Sequence, residues 1–207
     1  MQRRHVLTVL GACGLGVTHT QVRALAIGDR RRIAQPAPLP PGYVAMARRF
    51  AVPPMVLYGV ALQESAMLFG PWTLPWPWTL NVQRVPKRYA TYSDSVTAMR
   101  GFIAAGIRNV DAGLMQVNWG CHSDKLIDPA RALDPYPNIA VGAQILRGHF
   151  DATGDWYRAV GRYHSPGNAS RADAYATAVF RRVAHVASNG MPPPRPTSRN
   201  GQEVAGA

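Results

Sequence analysis

Glutamate is almost missing from this chain. Of 207 residues, 11 are acidic against 23 lysines and arginines, and the only glutamates are Glu64 and Glu203. Cysteine is equally scarce, with 2 residues, Cys13 and Cys121. The first lies in an N-terminal segment that reads as removable. With Cys121 alone left, an intramolecular disulfide and a Cys-based metal site are both excluded. The histidines His122, His149 and His164 lack close ligand spacing, so neither a metal nor another cofactor is expected. The apolar run Val6 to Val17 is too short and too glycine-rich for a membrane span. No internal repeat and no nucleic-acid motif is present. The formal charge of +12 therefore points to an anionic neighbourhood other than nucleic acid, such as a membrane surface or an anionic wall polymer.

The length suits one domain with its own core. Arg3-Arg4 before the apolar run, and Ala24-Leu25-Ala26 after it, predict an export signal over residues 1–26. Cleavage there removes three of the 23 basic residues against 11 acidic ones, leaving +9. Leu10-Gly11-Ala12-Cys13 offers a rival reading as a lipoprotein box with Cys13 as a lipid anchor. Arg3-Arg4-His5-Val6-Leu7 loosely resembles a twin-arginine signal. Export places the protein in the periplasm and argues against DNA or RNA as a partner.

Residues 27–40 read as a basic, proline-rich arm, residues 41–190 as the folded domain, and residues 191–207 as a disordered tail. Pro41 to Phe50 predicts a first helix. Pro53-Pro54 predicts the start of a second, running to Gly70-Pro71. Two short strands are expected at Trp78–Val82 and Arg88–Tyr92, around a turn containing Pro86. Ser93 caps a helix to about Ala105, stopped by Gly106. Ile107–Val110 reads as a third short strand and Asp111–Trp119 as a loop. Asp134-Pro135 opens a helix through Phe150, and Asp155 another ending near Tyr163. Ser170 with Asp173 resembles a capping box for the last helix. Asp111 reads as a turn residue before Gly113, against the alternative of a second carboxylate that positions water. Cys121 reads as a small buried residue.

Glu64 sits late in the apolar segment Met55–Phe69. Helical spacing from Leu57 gives Val60, Ala61, Glu64 and Leu68, which puts the carboxyl on an apolar stripe. Desolvation there raises its pKa, the condition for a general acid near neutral pH.

Four segments in order, Ala61-Leu-Gln-Glu-Ser65, Gly113-Leu-Met-Gln116, Asn138-Ile-Ala-Val-Gly142 and Ala159-Val-Gly-Arg-Tyr163, resemble the SLT-type lytic transglycosylases, relatives of goose-type lysozyme. The likeness covers roughly residues 42–166, and is nearest to small enzymes associated with conjugation and secretion. It implies an α+β, mainly α-helical, lysozyme-like domain, here with a β-hairpin plus helix inserted over about 71–110. It implies Glu64 as the catalytic acid/base acting on the bond between MurNAc and GlcNAc and leaving 1,6-anhydro ends. It further implies Ser65, Met115, Gln116, Asn118, Tyr163 and His164 at the substrate, with Tyr163 reaching toward the carboxylate. Gly113, Asn138 and Ile139 would support the site. Asn commonly follows the motif tyrosine, where this chain has His164. The implied partners are peptidoglycan strands and a type IV secretion or conjugation apparatus, with the protein a monomer. Two other readings stay open: a goose-type muramidase with water held by Asp111, and a non-catalytic wall-binding assembly factor.

Overall fold

The computed structural model describes residues 35–36, 39–69 and 72–187. The expected export signal with Cys13, most of the basic arm and the expected tail lie outside the described residues. Within the arm, β1 (Gln35–Pro36) pairs in parallel with Trp72–Thr73.

The first helix, α1 (Pro41–Arg49), opens on a proline, where the missing N–H costs no intrahelical bond. The second, α2 (Pro54–Ser65), does the same after Pro53. Nine of its twelve residues are buried, on every side rather than along a stripe. It is the helix around which the core is built, with Leu57, Tyr58, Val60, Ala61 and Leu62 fully enclosed. Tyr43 of α1 meets Tyr58 edge-on at 4.9 Å.

The expectation that α2 runs to Gly70 is corrected. The chain turns extended at Ala66 (φ −54°, ψ 133°), and β2 (Ala66–Phe69) pairs antiparallel with β3 (Trp72–Pro75). The Trp76 N–H bonds the Ser65 carbonyl at 2.9 Å, so the strand partner captures the backbone just where the helix would have continued. A second hairpin joins β4 (Thr79–Val82) to β5 (Val85–Arg88). Its turn is Gln83-Arg84, both at positive φ (51° and 71°), the two-residue geometry that matches strand twist. Pro86 therefore lies within β5 rather than in the turn. It is tolerated there because β5 is an edge strand, in the order β5-β4-β6-β7. The remaining two strands are β6 (Val110–Ala112) and β7 (Val117–Asn118). The third strand thus begins where Ile107–Val110 was expected to end, and the expected loop after it is a strand, a tight turn and another strand.

Between β5 and β6 in the chain lies α3 (Tyr92–Ala104), capped by Thr91 rather than Ser93. Gly106 at φ +80° ends it. Its N–H bonds Ile103 O and that of Ile107 bonds Phe102 O, a Schellman stop. Two short helices follow, α4 (Trp119–Leu126) and α5 (Pro129–Leu133). Asp134 caps α6 (Pro135–Thr153), and Asp155 caps α7 (Trp156–His164). The last helix, α8 (Ala169–Ala187), starts from Asn168, whose Oδ1 accepts from the Arg171 N–H at 2.9 Å. The Ser170 box is thus displaced by an earlier cap.

The result is an α+β, mainly α-helical fold with small sheets set beside the end of α2. The close packing of α8 on α2 is set by Gly59, where a Cβ would lie 2.5 Å from Val183. Among the described residues no helix is long and apolar enough to cross a membrane.

Candidate active site

The last turn of α2 emerges from the core with Glu64 at the floor of a cleft of about 560 Å³. Glu64, Asn81, Asp111, Gln116, Tyr163 and His164 all line it. The adjacent Ser65 points the other way and is fully buried. Its hydroxyl lies 2.8 Å from Leu114 O and 3.1 Å from Ala61 O. Ser65 is therefore a tie between the helix end and the Gly113–Gln116 turn, not a group that touches a ligand. This corrects its expected place at the substrate.

That turn is fixed from several sides. Gly113 sits at φ +77°, and a Cβ there would come within 2.5 Å of the Asn138 amide. Both facts require glycine. Asn138, buried on α6, donates to Ala112 O and Ala132 O at 2.9 Å each. Its Oδ1 accepts from the Met115 N–H at 2.8 Å. The Met115 side chain is fully buried against Gly142, where any Cβ would crowd it at 2.7 Å. Met115 thus lies beneath the cleft rather than at its surface, and its expected substrate contact is corrected. Ile139 belongs to the core beside it. The Gln116 amide donates to Thr79 O (3.0 Å) and Gly113 O (2.8 Å), so it braces β4 against the turn while lining the cleft.

Tyr163 lines the cleft, but its hydroxyl donates to Met115 O at 2.7 Å. The tyrosine hydrogen-bonded to Glu64 is instead Tyr175 of α8, whose hydroxyl donates to Glu64 Oε1. His164 lies parallel on the Tyr175 ring, with centroids 4.5 Å apart. One helical face of α8 carries Tyr175, Val179 and Val183 against α2, and Arg182 Nε donates to Gln63 Oε1 at 2.7 Å. Tyr175 was missed in the sequence. Its spacing with Val179 and Val183 marks a buried face, yet nothing local says which residue that face meets.

The second acid also stands elsewhere than expected. Asp111 is a β6 residue paired with Asn81 on one side and Asn118 on the other. Strand alternation sends Leu80, Val82, Val110, Ala112 and Val117 into the core. Asn81, Asp111 and Asn118 are left as a polar row on the cleft face. Asn118 donates to Asp111 Oδ1 at 2.7 Å and to Asn109 Oδ1 at 2.9 Å, and its side-chain Oδ1 accepts from the Cys121 N–H at 3.2 Å, capping α4. Its polar atoms thus orient Asp111.

Burial pushes the Glu64 carboxyl from 4.5 up to about 7. The Tyr175 hydroxyl pulls it down and the Asp111 charge pushes it up. Burial also raises Asp111, while the Asn118 amide and His164 oppose that rise. A carboxyl near 7 is populated in both forms at neutral pH, so it can give a proton and take one back. Cys121, His122 and His149 line the same cleft, with Cys121 exposed rather than buried. Burial lowers the pKa of both histidines. Among the described residues, no group of three or more His, Cys, Asp or Glu side chains is arranged to hold a metal ion.

Residues 89–179 match the family model of the transglycosylase SLT domain. The match supports a peptidoglycan-related activity on glycosidic bonds. It takes in Asp111, the Gly113–Gln116 turn, Asn138, Tyr163 and Tyr175, and begins after Glu64 and Ser65. The fold joins these two to the matched part, through Ser65 to Leu114 and Tyr175 to Glu64. No curated protein and no solved structure matches the chain.

Proposed function

We propose that the protein is an exported peptidoglycan lytic transglycosylase with Glu64 as its single catalytic acid/base. Protonated Glu64 donates to the glycosidic oxygen between MurNAc and GlcNAc. The substrate's own acetamido group stabilises the cationic C1, as in substrate-assisted glycosidases. The Glu64 carboxylate then takes the proton from the MurNAc C6 hydroxyl as that oxygen attacks C1. The sugar closes to a 1,6-anhydro end, the proton is back on Glu64 and no water is consumed. Ser65, Asn138 and Tyr163 hold the turn beneath the cleft, and Tyr175 fixes the carboxyl.

The observation that carries this reading is the Glu64 carboxyl, raised to about 7 and hydrogen-bonded by Tyr175 at the floor of a cleft. The export-like N-terminus and net charge of +12 suit a periplasmic protein working on an anionic wall. We extend the proposal to a monomer that opens the wall for a conjugation or secretion apparatus. The test is mass spectrometry of sacculi digested by wild type and Glu64→Gln. Anhydro muropeptides from wild type and none from the variant are expected. Equal release by the variant refutes the assignment.

One observation favours a muramidase as the second reading. Asp111 faces the same cleft and its charge acts on Glu64, so it could hold a water for hydrolysis. Reducing ends in place of anhydro ends, lost in Asp111→Asn, would establish that reading.

A further inference from the structure

The cleft does not stop at Arg162. A second groove of about 700 Å³ lies beyond it, and Arg162 and Pro166 line both. Its size falls within the range of about 300–1,000 Å³ typical of ligand pockets. Small residues shape it. Gly161 of α7 packs so closely on α8 that a Cβ would lie 2.8 Å from Ala172 O, and Gly167 and Ala169 add little wall.

The groove is basic. Arg158 and Arg162 stand one turn apart on α7 and both line it. Among the described residues neither guanidinium forms an ion pair. The one acid of the lining, Asp173, accepts from the Tyr157 hydroxyl at 2.7 Å. Two uncommitted guanidinium forks suit carboxylates, which they can bind through paired N–H donors.

We infer that this groove holds the carboxylate-bearing peptide branch of the muramyl sugar while the glycan strand lies in the adjoining cleft. The inference rests on the proposed function, because it takes the substrate to be a glycan that carries peptides. Continuity supports it: a branch leaving a sugar near Glu64 meets Arg162 at the shared rim. Charge supports it as well, since the stem peptide is rich in free carboxylates and the groove is cationic. Arg158 lines the groove and not the cleft, so it separates branch binding from glycan binding.

The test compares kcat/KM on peptide-bearing glycan strands with kcat/KM on the same strands stripped by an amidase. Wild type should prefer the peptide-bearing strands. Arg158→Gln should cut that preference about tenfold, through KM, the size expected for losing one charge-assisted contact. An unchanged preference, or an equal loss on both substrates, overturns the inference. Calorimetric titration of free stem peptide into wild type and Arg158→Gln reads the groove without catalysis. Binding by wild type that weakens in the variant is expected, and no binding by wild type also overturns it. Failure to cleave either substrate, with peptide binding intact, would count against the proposed function alone.

Discussion

Replacing Glu64 by glutamine should make the protein more stable at high pH than at low pH, relative to wild type. Burial raises the Glu64 pKa from 4.5 to about 7, so the folded chain holds this proton more tightly than the unfolded one. The stabilisation is fully present below the unfolded value and is lost as pH rises through the folded value. At about 1.36 kcal/mol per pH unit, the full loss is about 3 kcal/mol. Glu64 is partly open to water in the cleft, which screens the effect and brings the expected loss to about 2 kcal/mol. Glutamine keeps the shape and a hydrogen-bond acceptor for Tyr175, but has no proton to lose. Urea unfolding of both proteins at about pH 5 and about pH 9 measures the difference. Because a pH of about 5 already lies above the unfolded value of 4.5, part of the loss precedes it, and the gap between variant and wild type should move by about 1 kcal/mol in favour of the variant at the higher pH. A gap that stays constant with pH would show that Glu64 titrates as an ordinary exposed carboxyl, and the acid/base assignment would lose its physical basis. Under the proposed function the same protonation sets the activity. The rate should be flat below about pH 7 and fall about tenfold per unit above it, since only the protonated form donates.

Three further outcomes follow from the geometry. Tyr175→Phe removes the donor that lowers the Glu64 pKa, so the high-pH limb of the rate profile should move up while kcat falls about 100-fold from lost positioning. Asp111→Asn removes a charge that raises the Glu64 pKa, so the same limb should move down, a shift that a pH–rate profile resolves. Asn138→Ala strands the Met115 N–H and the carbonyls of Ala112 and Ala132, and denaturant unfolding should show a loss of about 3 kcal/mol.

The helices were legible wherever one residue punctuates the chain. Pro54, Gly106, the Asp134-Pro135 pair and Asp155 each mark a boundary found in the structure. Of the strands, the one expected at Trp78–Val82 is found as β4 (Thr79–Val82); the others were not legible, for identifiable reasons. The apolar run continues through Leu68 and Phe69, so nothing local announces that Ala66 leaves the helix. Only the distant partner Trp72–Pro75 does that. The Gln83-Arg84 turn has the positive φ values usually supplied by Asn-Gly, and its residues carry no such signal. Val110-Asp111-Ala112 is too short for its alternation to outweigh the neighbouring Gly113. At the site, a lone glutamate at the end of an apolar helix was visible. Its partner Tyr175 was not, because the contact spans 111 residues of sequence and depends on how α8 lies across α2.

The Glu64 carboxyl is set by opposing influences, and this explains why its surroundings are built from separate elements. Burial at the end of α2 would by itself favour the neutral acid, which can donate but is a poor carboxylate afterwards. The Asp111 charge, held on β6 by Asn118, pushes the same way. Tyr175 pushes back, because its hydroxyl bonds the charged form more strongly. The acid/base role proposed for Glu64, giving a proton and then recovering it, calls for both kinds of neighbour, and the two arrive on different pieces of structure. The strand brings the charge, α8 brings the hydroxyl, and Ser65 locks the helix end to the turn between them. The match to the SLT domain covers the strand, the turn and the first part of α8 up to residue 179, including Tyr175, but not Glu64. Two of the three influences, the Asp111 charge and the Tyr175 hydroxyl, therefore lie within the matched residues, while the burial that raises the carboxyl most comes from α2 outside them.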